Sequence, residues 1–333
     1  MKLVKIFALF ALFTIISAGC AETRAEAGTT APKDSSGVYR VGIVQLVENG
    51  AFADMRTGFI SRMRELGYGE DKMIFDYQNA QGDMSNLSSI CQRMTDTELD
   101  FIVTIATPPT QAMVNAGPDA PVFFISVSNP IAAGVVTTME RPGKNATGTS
   151  NAIPVDEMFK LAAKVTPNVK TFGLIYNAGE VNSVSTINAA KNYLDASGTF
   201  GYKEAVVTAS SEVQQAAQSL ADSTDAIFAP NDSMIQSAMT QIVEAANAAK
   251  IPVFGSSAVM VNTGAFATIS IDDPAIGART ADMADRYLKG TAVEDIPSIV
   301  VSDFVTLFNK NTAETIGVEI PEDILKDSVL VGE

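Results

Sequence analysis

The sequence predicts an α/β fold of two doubly wound parallel-sheet domains with a cleft and a hinge between them. Three observations lead there. Short apolar runs alternate with segments of helical period, the pattern of a parallel sheet covered on both faces. The pattern stops at Gly148-Thr149-Ser150-Asn151 and then restarts. At 333 residues the chain has the length of two domains rather than one.

In the first unit, Tyr39 to Leu46 reads as a buried strand. Phe52, Met55, Phe59, Met63 and Leu66 then recur at spacings of three and four, one face of a helix that Gly67 is placed to stop. Strands follow at Met73 to Tyr77, Phe101 to Ile105 and Val122 to Ser126. Between them lie a helix over Asp83 to Thr97 and another opened by Thr107-Pro108-Pro109, with Thr107 as N-cap. The second unit predicts strands at Thr171 to Tyr176, Glu204 to Val207, Ala226 to Ala229, Pro252 to Phe254, Phe266 to Ser270 and Ser298 to Val301. Its helices are expected over Asp156 to Val165, Ser183 to Ser197, Ser211 to Ser223, Ser233 to Ala249, Gly277 to Leu288 and Asn311 to Ile316.

Composition removes much chemistry. With 23 basic against 38 acidic side chains the formal charge is -15, which would repel a phosphate backbone, so no nucleic-acid partner is expected. There is no His, so the Ser-His-Asp and Cys-His pairings are absent together with the commonest transition-metal ligand. Two cysteines cannot build a four-thiolate zinc site. No dinucleotide, P-loop or nucleophile-elbow motif occurs, and no cofactor is called for.

Lys2 and Lys5 precede an apolar run from Ile6 to Ile16 that is too short to span a bilayer but has the length of a signal-peptide core. Ser17-Ala18-Gly19-Cys20 follows and resembles the lipobox of bacterial lipoproteins, whose cysteine is acylated. The alternative is an ordinary secretory signal cut near Ala18. Ala21 to Gly37 has the composition of a flexible tether. The expected organisation is a lipoprotein signal peptide over 1–19 and an acylated Cys20 with its tether over 20–38. One lobe is expected from 39–150 with about 275–300, and a second from 151–274 with about 301–333.

Ligands of doubly wound folds bind beyond the carboxyl ends of the strands, and two facing units place a small-molecule site between them. The candidates are therefore the residues that follow each strand. Thr107 and Thr110 begin a helix whose N-terminus favours an anion, and Ser126 and Ser128 offer hydroxyls beside it. In the second unit Glu180, Asn182 and Ser183 follow one strand and Asp232 another. An anion site on one lobe and Asp232 on the other would grip a zwitterion by its carboxylate and its ammonium. Asp272 is a second candidate for the ammonium, or a helix cap. Phe52 either walls an apolar pocket or packs in the core, and Cys91 reads as a buried free thiol.

Several segments carry a resemblance. Val41-Gly42-Ile43-Val44-Gln45, Gln78-Asn79-Ala80-Gln81-Gly82-Asp83, Tyr176-Asn177-Ala178-Gly179-Glu180-Val181-Asn182-Ser183 and Ala249-Lys250-Ile251-Pro252-Val253-Phe254 resemble the tryptophan/tyrosine-binding (TrpX-like) substrate-binding lipoproteins of ABC transporters. Pro142 to Ser150 is similar to that family's crossover segment. The resemblance implies a type I periplasmic-binding-protein fold and delivery of an aromatic amino acid to a permease and its ATPase. It also implies an extracytoplasmic place, held to the membrane through the N-terminal lipid. Three positions depart from the family pattern: Asn49-Gly50-Ala51-Phe52-Ala53-Asp54 replaces a His-Pro-Ala-Leu-Asp stretch, Asn129 an Asp, and Asp273 a Tyr. They leave a different amino acid, a peptide-like solute or a carboxylate as alternative ligands. Two other readings remain: a sensor lipoprotein that docks a receptor, and a carboxylate-based hydrolase using Glu180 with Asp232.

Overall fold

A computed structural model describes residues 37–152 and 154–332. The signal segment and Cys20 lie outside the described residues. The strands are β1 (Tyr39–Gln45), β2 (Met73–Asn79), β3 (Phe101–Ile105), β4 (Val122–Ile125), β5 (Ala146–Ser150), β6 (Thr171–Asn177), β7 (Gly201–Val207), β8 (Ala226–Phe228), β9 (Val253–Phe254), β10 (Ala267–Ile271), β11 (Ile299–Val300), β12 (Phe304–Asn309) and β13 (Ser328–Val331). The helices are α1 (Gly50–Glu65), α2 (Met84–Thr95), α3 (Thr107–Ala116), α4 (Val155–Val165), α5 (Val181–Ser197), α6 (Val213–Ala221), α7 (Ser233–Ser237), α8 (Met239–Ala249), α9 (Ala258–Asn262), α10 (Asp273–Leu288), α11 (Lys310–Ile316) and α12 (Glu322–Leu325).

They form two sheets. One has the order β11-β5-β4-β3-β1-β2 and is parallel throughout. The other has the order β13-β12-β10-β9-β8-β6-β7 and is parallel except where β12 runs against β10. Each order reverses once beside its first strand, between β1 and β3 and between β6 and β8. Those are the topological switch points of the two sheets. The chain passes between the sheets three times, after β5, after β10 and after β11.

Each sheet is buried by helices on both faces. In the first, Phe59 and Met63 of α1 pack with Phe101 and Phe123 of the sheet and with Ile276 and Ala284 of α10. On the other face Leu87, Ile90 and Met94 of α2 and Met113 of α3 cover Val44, Ile102 and Val122. Eight phenylalanines or tyrosines interlock in the second sheet's core, among them Phe159, Phe172, Phe254 and Phe266. The aliphatic runs read from the sequence are thus the central strands, and the helical stripes are the faces that cover them.

Several elements differ from the expectation. Ala146–Ser150 is a fully buried strand, not a bare crossover. Its small polar residues fit there because Thr147 donates to the Ile296 carbonyl at 2.7 Å and Thr149 bonds Thr280 at 2.9 Å. A Cβ on Gly148 would lie 2.0 Å from the Phe124 carbonyl oxygen, so only glycine lets the two strands pair there. β12, β13, α9 and α12 were not anticipated from periodicity, because they are short and half exposed or at the chain's end. The run Ser233 to Ala249 is two helices, broken at Ala238, whose N–H is shared between the Met234 and Ile235 carbonyls. α10 starts at Asp273 rather than Gly277, because Asp272 caps it by accepting from the Ala275 N–H at 2.9 Å.

α1 and α10 cross very closely. A Cβ on Gly58 would lie 2.1 Å from the Pro274 carbonyl oxygen, and one on Gly277 would lie 2.1 Å from that of Met55. Arg62 pairs with Asp282 across the crossing at 2.8 Å. Because α10 arrives directly from β10 of the second sheet, this crossing also fixes where one of the connections enters the first. Gly58→Ala is therefore expected to cost about 1–3 kcal/mol of stability by overpacking a backbone contact. Urea unfolding checks it, and an unchanged midpoint would show that the crossing yields freely.

Candidate functional site

The carboxyl ends of both sheets border a cavity of about 860 Å³. Its walls come from the ends of β1 and β2, from α2 and α3, and across from them the ends of β6 and β7 and the start of α7. Leu46, Val47, Met84, Pro108, Ala112 and Met234 supply its apolar surface. Glu180 is its one charged lining residue. α3 of the first sheet touches α5 of the second beside it.

Buried polar groups without hydrogen bonds collect at the same strand ends. Among the described residues six buried side-chain atoms have no partner: Asn49 Nδ2, Thr107 Oγ1, Ser126 Oγ, Asn182 Oδ1, Gln236 Nε2 and Thr268 Oγ1. All but Thr268 follow the carboxyl end of a strand. Asn49 follows β1, Thr107 β3, Ser126 β4, Asn182 β6 and Gln236 β8. Four of these strands flank the two switch points. An unsatisfied buried group costs about 1–3 kcal/mol, so such a cluster calls for a partner from outside the chain.

Local backbone aims these groups. Ala106 has φ 72° and ψ 172°, a conformation suited to glycine, and Ser126 has φ 63°. Both sit immediately after a strand, at β3 and β4. Strain of this kind is held in place only where the surrounding fold over-determines it. At Ala106 it corrects the sequence reading of Thr107 as N-cap. Ala106 occupies the cap position, Thr107 is the first helical residue, and its hydroxyl is left free and buried.

In the second sheet Asp232 organises the loops. One carboxylate oxygen accepts from the Met234 and Ile235 N–H groups, both at 3.0 Å. The other accepts from the Asn177 N–H at 2.8 Å and from the Ser183 hydroxyl. Its acceptor positions are thus taken by β6, α5 and α7, and Asp232 acts as the pin of these loops. Glu180 lies nearer the cavity. Its Oε2 accepts from the Ser233 N–H at 3.1 Å and the Asn182 amide at 3.3 Å. Burial, then the charge of Asp232, push its carboxyl above the ordinary carboxylate range. Asn182 also donates to the Asn231 carbonyl at 2.6 Å. Both its partners are acceptors, which fixes the amide and leaves Oδ1 as the open acceptor.

Of the sequence candidates, Thr107, Ser126, Glu180 and Asn182 are therefore the ones with open or cavity-facing polar atoms. The others are committed elsewhere. Thr110 bonds Thr104 at 2.8 Å and the Ala106 carbonyl at 2.7 Å. Ser128 reaches Asn151 at 3.4 Å, and Ser183 serves Asp232. Asp272 is an exposed helix cap, and Phe52 belongs to the core of the first sheet. Cys91 is buried with its thiol pushed up to about 11, unreactive although it borders the cavity. Gln236 was missed, and Asn49 entered the sequence reading only within a departure from the family pattern, not as a site candidate. Asn49 caps α1 by accepting from the Phe52 N–H at 2.9 Å, which leaves its Nδ2 open. Gln236 lies inside a helix and is turned inward by Ser257, which donates to its Oε1 at 3.0 Å.

Asp273 stands at the connection from β10 to α10. It is 6% exposed, and burial, followed by the charges of Asp54 and Asp272, pushes its carboxyl up to about 7. An unfolded aspartate titrates near about 3.9, so between about pH 4 and pH 7 the folded state binds more protons and stability falls as pH rises. Asp273→Asn is expected to match the parent at about pH 4 and to exceed its stability progressively up to about pH 8. Urea titrations across that range check it, and a constant difference between the two proteins would contradict it.

Residues 40–331 match the family of ABC transporter substrate binding proteins. A tyrosine-binding protein of Clostridioides difficile (strain R20291) is 34% identical over 287 residues, covering 86% of this chain and 83% of that protein. The crystal structure of an ABC domain in complex with L-Trp from Streptococcus pneumonia is 29% identical, with a TM-score of 0.85 over 88% of this chain and 100% of that one. The ligand-free, open structure of a substrate binding protein with adhesive properties from Clostridium difficile is 35% identical, with a TM-score of 0.69 over 89% of this chain and 99% of that one. The shape is thus nearer the complex than the open form, although the open form is nearer in sequence. The chain belongs to the ABC transporter substrate-binding protein family.

Proposed function

We propose that this protein is an extracytoplasmic lipoprotein, anchored through Cys20, that captures an aromatic amino acid between its two lobes and delivers it to a permease and its ATPase. The observation that carries the reading is the set of unpartnered polar atoms at the strand ends of both sheets. On the first sheet they are hydroxyls and an amide N–H, at Thr107, Ser126 and Asn49, beside the N-terminus of α3. That side suits a carboxylate. On the second sheet Asn182 Oδ1 and the Glu180 carboxyl are acceptors, which suits an ammonium. The arrangement fits a zwitterion held by both lobes, and the ligand would stabilise their closed arrangement by touching both. The three connections between the sheets would serve as the hinge.

The aromatic side chain is supported by the relative named tyrosine-binding and the neighbour that holds L-Trp. The cavity offers it Met84 and Met234, and methionine sulfur makes favourable contacts with aromatic rings. Hydrolysis by the Glu180–Asp232 pair is disfavoured, because Asp232 is engaged by four protein donors and cannot act as a free base.

The chain has no Trp, so the indole emission of added L-tryptophan can be followed without protein background. A saturable change in that emission at one ligand per chain is expected, displaced by L-tyrosine. Thr107→Val should leave the melting temperature of the ligand-free protein equal or higher while weakening binding about tenfold, the worth of one hydrogen bond to a charged group. Saturable binding of a non-aromatic solute alone would retain capture and remove the aromatic class.

A further inference from the structure

The cavity presents one negative group and no positive one. None of its lining residues is Lys or Arg, and none of the ion pairs among the described residues includes Glu180 or Asp232. Glu180 is 6% exposed and Asp232 1%. They are joined through one cluster, since Glu180 accepts from the N–H of Ser233 and Asp232 from those of Met234 and Ile235, all at the start of α7. The groups bonded to them are neutral: Asn177 from β6, Asn182 and Ser183 from α5, and the backbone of Ser233, Met234 and Ile235 from α7; no Lys or Arg lines the cavity beside them.

Two carboxylates buried together without a cation cannot both ionise cheaply, because each raises the energy of the other's charge in a medium of low dielectric. Asp232 is the better anion, with four donors against two for Glu180. Burial and the neighbouring charge act on Glu180 in the direction of protonation. The pair therefore titrates as a unit, and the empty site is neutralised in part by a proton.

We propose that the Glu180–Asp232 pair holds one proton in the empty cleft, and that the cationic head of the ligand displaces this proton on capture. The inference rests on the reading above that the ligand carries an ammonium. The ammonium keeps its own protons and takes over the charge compensation, and the displaced proton passes to solvent. Two consequences follow for selectivity. A ligand whose nitrogen is acylated has no charge to offer and leaves the proton in place, so Glu180 discriminates against it. Affinity for the free amine rises with pH as the pair loses its proton unaided.

The test is calorimetric titration of the protein with L-tryptophan at about pH 7 in phosphate and in Tris, whose ionisation enthalpies differ widely. The expected result is a binding heat that differs between the buffers by the release of a substantial fraction of one proton per ligand. The dependence should vanish in Glu180→Gln, and N-acetyl-L-tryptophan should bind at least about tenfold more weakly, one lost charge-assisted contact. Equal heats in the two buffers, with saturable binding, would overturn the proposal and leave the assignment of the ligand intact. No saturable heat with any aromatic amino acid would remove the ligand class, and the proposal with it. The proton count is taken on the unmodified protein, so it decides the matter even if the variant fails to fold.

Discussion

A buried polar group needs a hydrogen-bond partner, and the carboxyl ends of both sheets violate that requirement together. Asn49, Thr107, Ser126, Asn182 and Gln236 each leave an atom unsatisfied. At about 1–3 kcal/mol apiece, that is a considerable fraction of the stability of an ordinary domain. Nothing in the core explains it. Phe59, Phe123, Phe172 and Phe254 are fully buried, and the polar strand β5 finds partners for both its threonines. Of the six such atoms among the described residues, only Thr268 Oγ1 lies inside a strand; the other five gather where a solute held between two lobes would repay the cost.

The surrounding structure keeps those atoms in place. Ala106 and Ser126 hold backbone conformations that their side chains disfavour, and both lie on the first sheet's side of the cleft. On the second side Asp232 pins β6, α5 and α7 with four accepted bonds, which sets Glu180 at the cavity with Asn182 bonded to it. Asp232, a candidate for the ligand's ammonium in the sequence, also supports the residues whose atoms are open. The helix crossing of α1 over α10 performs the matching task at the connection, where Gly58 and Gly277 admit backbone against backbone.

Much of the fold was legible because the information is periodic. Phe52, Met55, Phe59 and Met63 mark α1, and aliphatic runs such as Phe101–Ile105 mark central strands. β5 escaped because Ala146-Thr147-Gly148-Thr149-Ser150 carries no apolar signature, and its burial depends on hydroxyl partners far along the chain, Thr280 and Ser298. At the candidate site, the rule that ligands sit beyond strand ends named Thr107, Ser126 and Asn182, which keep an unpartnered atom, and Glu180, which lines the cavity. The same rule could not separate them from Thr110, Ser183 and Asp232, because that choice is made by which hydrogen bonds close within the chain. Gln236 gave no signal at all, since a glutamine inside a short helix is ordinary until Ser257 is seen to turn it inward.

The most direct test of this account is a crystal structure of the protein with L-tryptophan or L-tyrosine bound. The account predicts a ligand between the sheets, its carboxylate on the Thr107 and Ser126 hydroxyls and its ammonium on Asn182 Oδ1 and Glu180. A ligand touching one sheet alone, or seated while these atoms stay unpartnered, would contradict it.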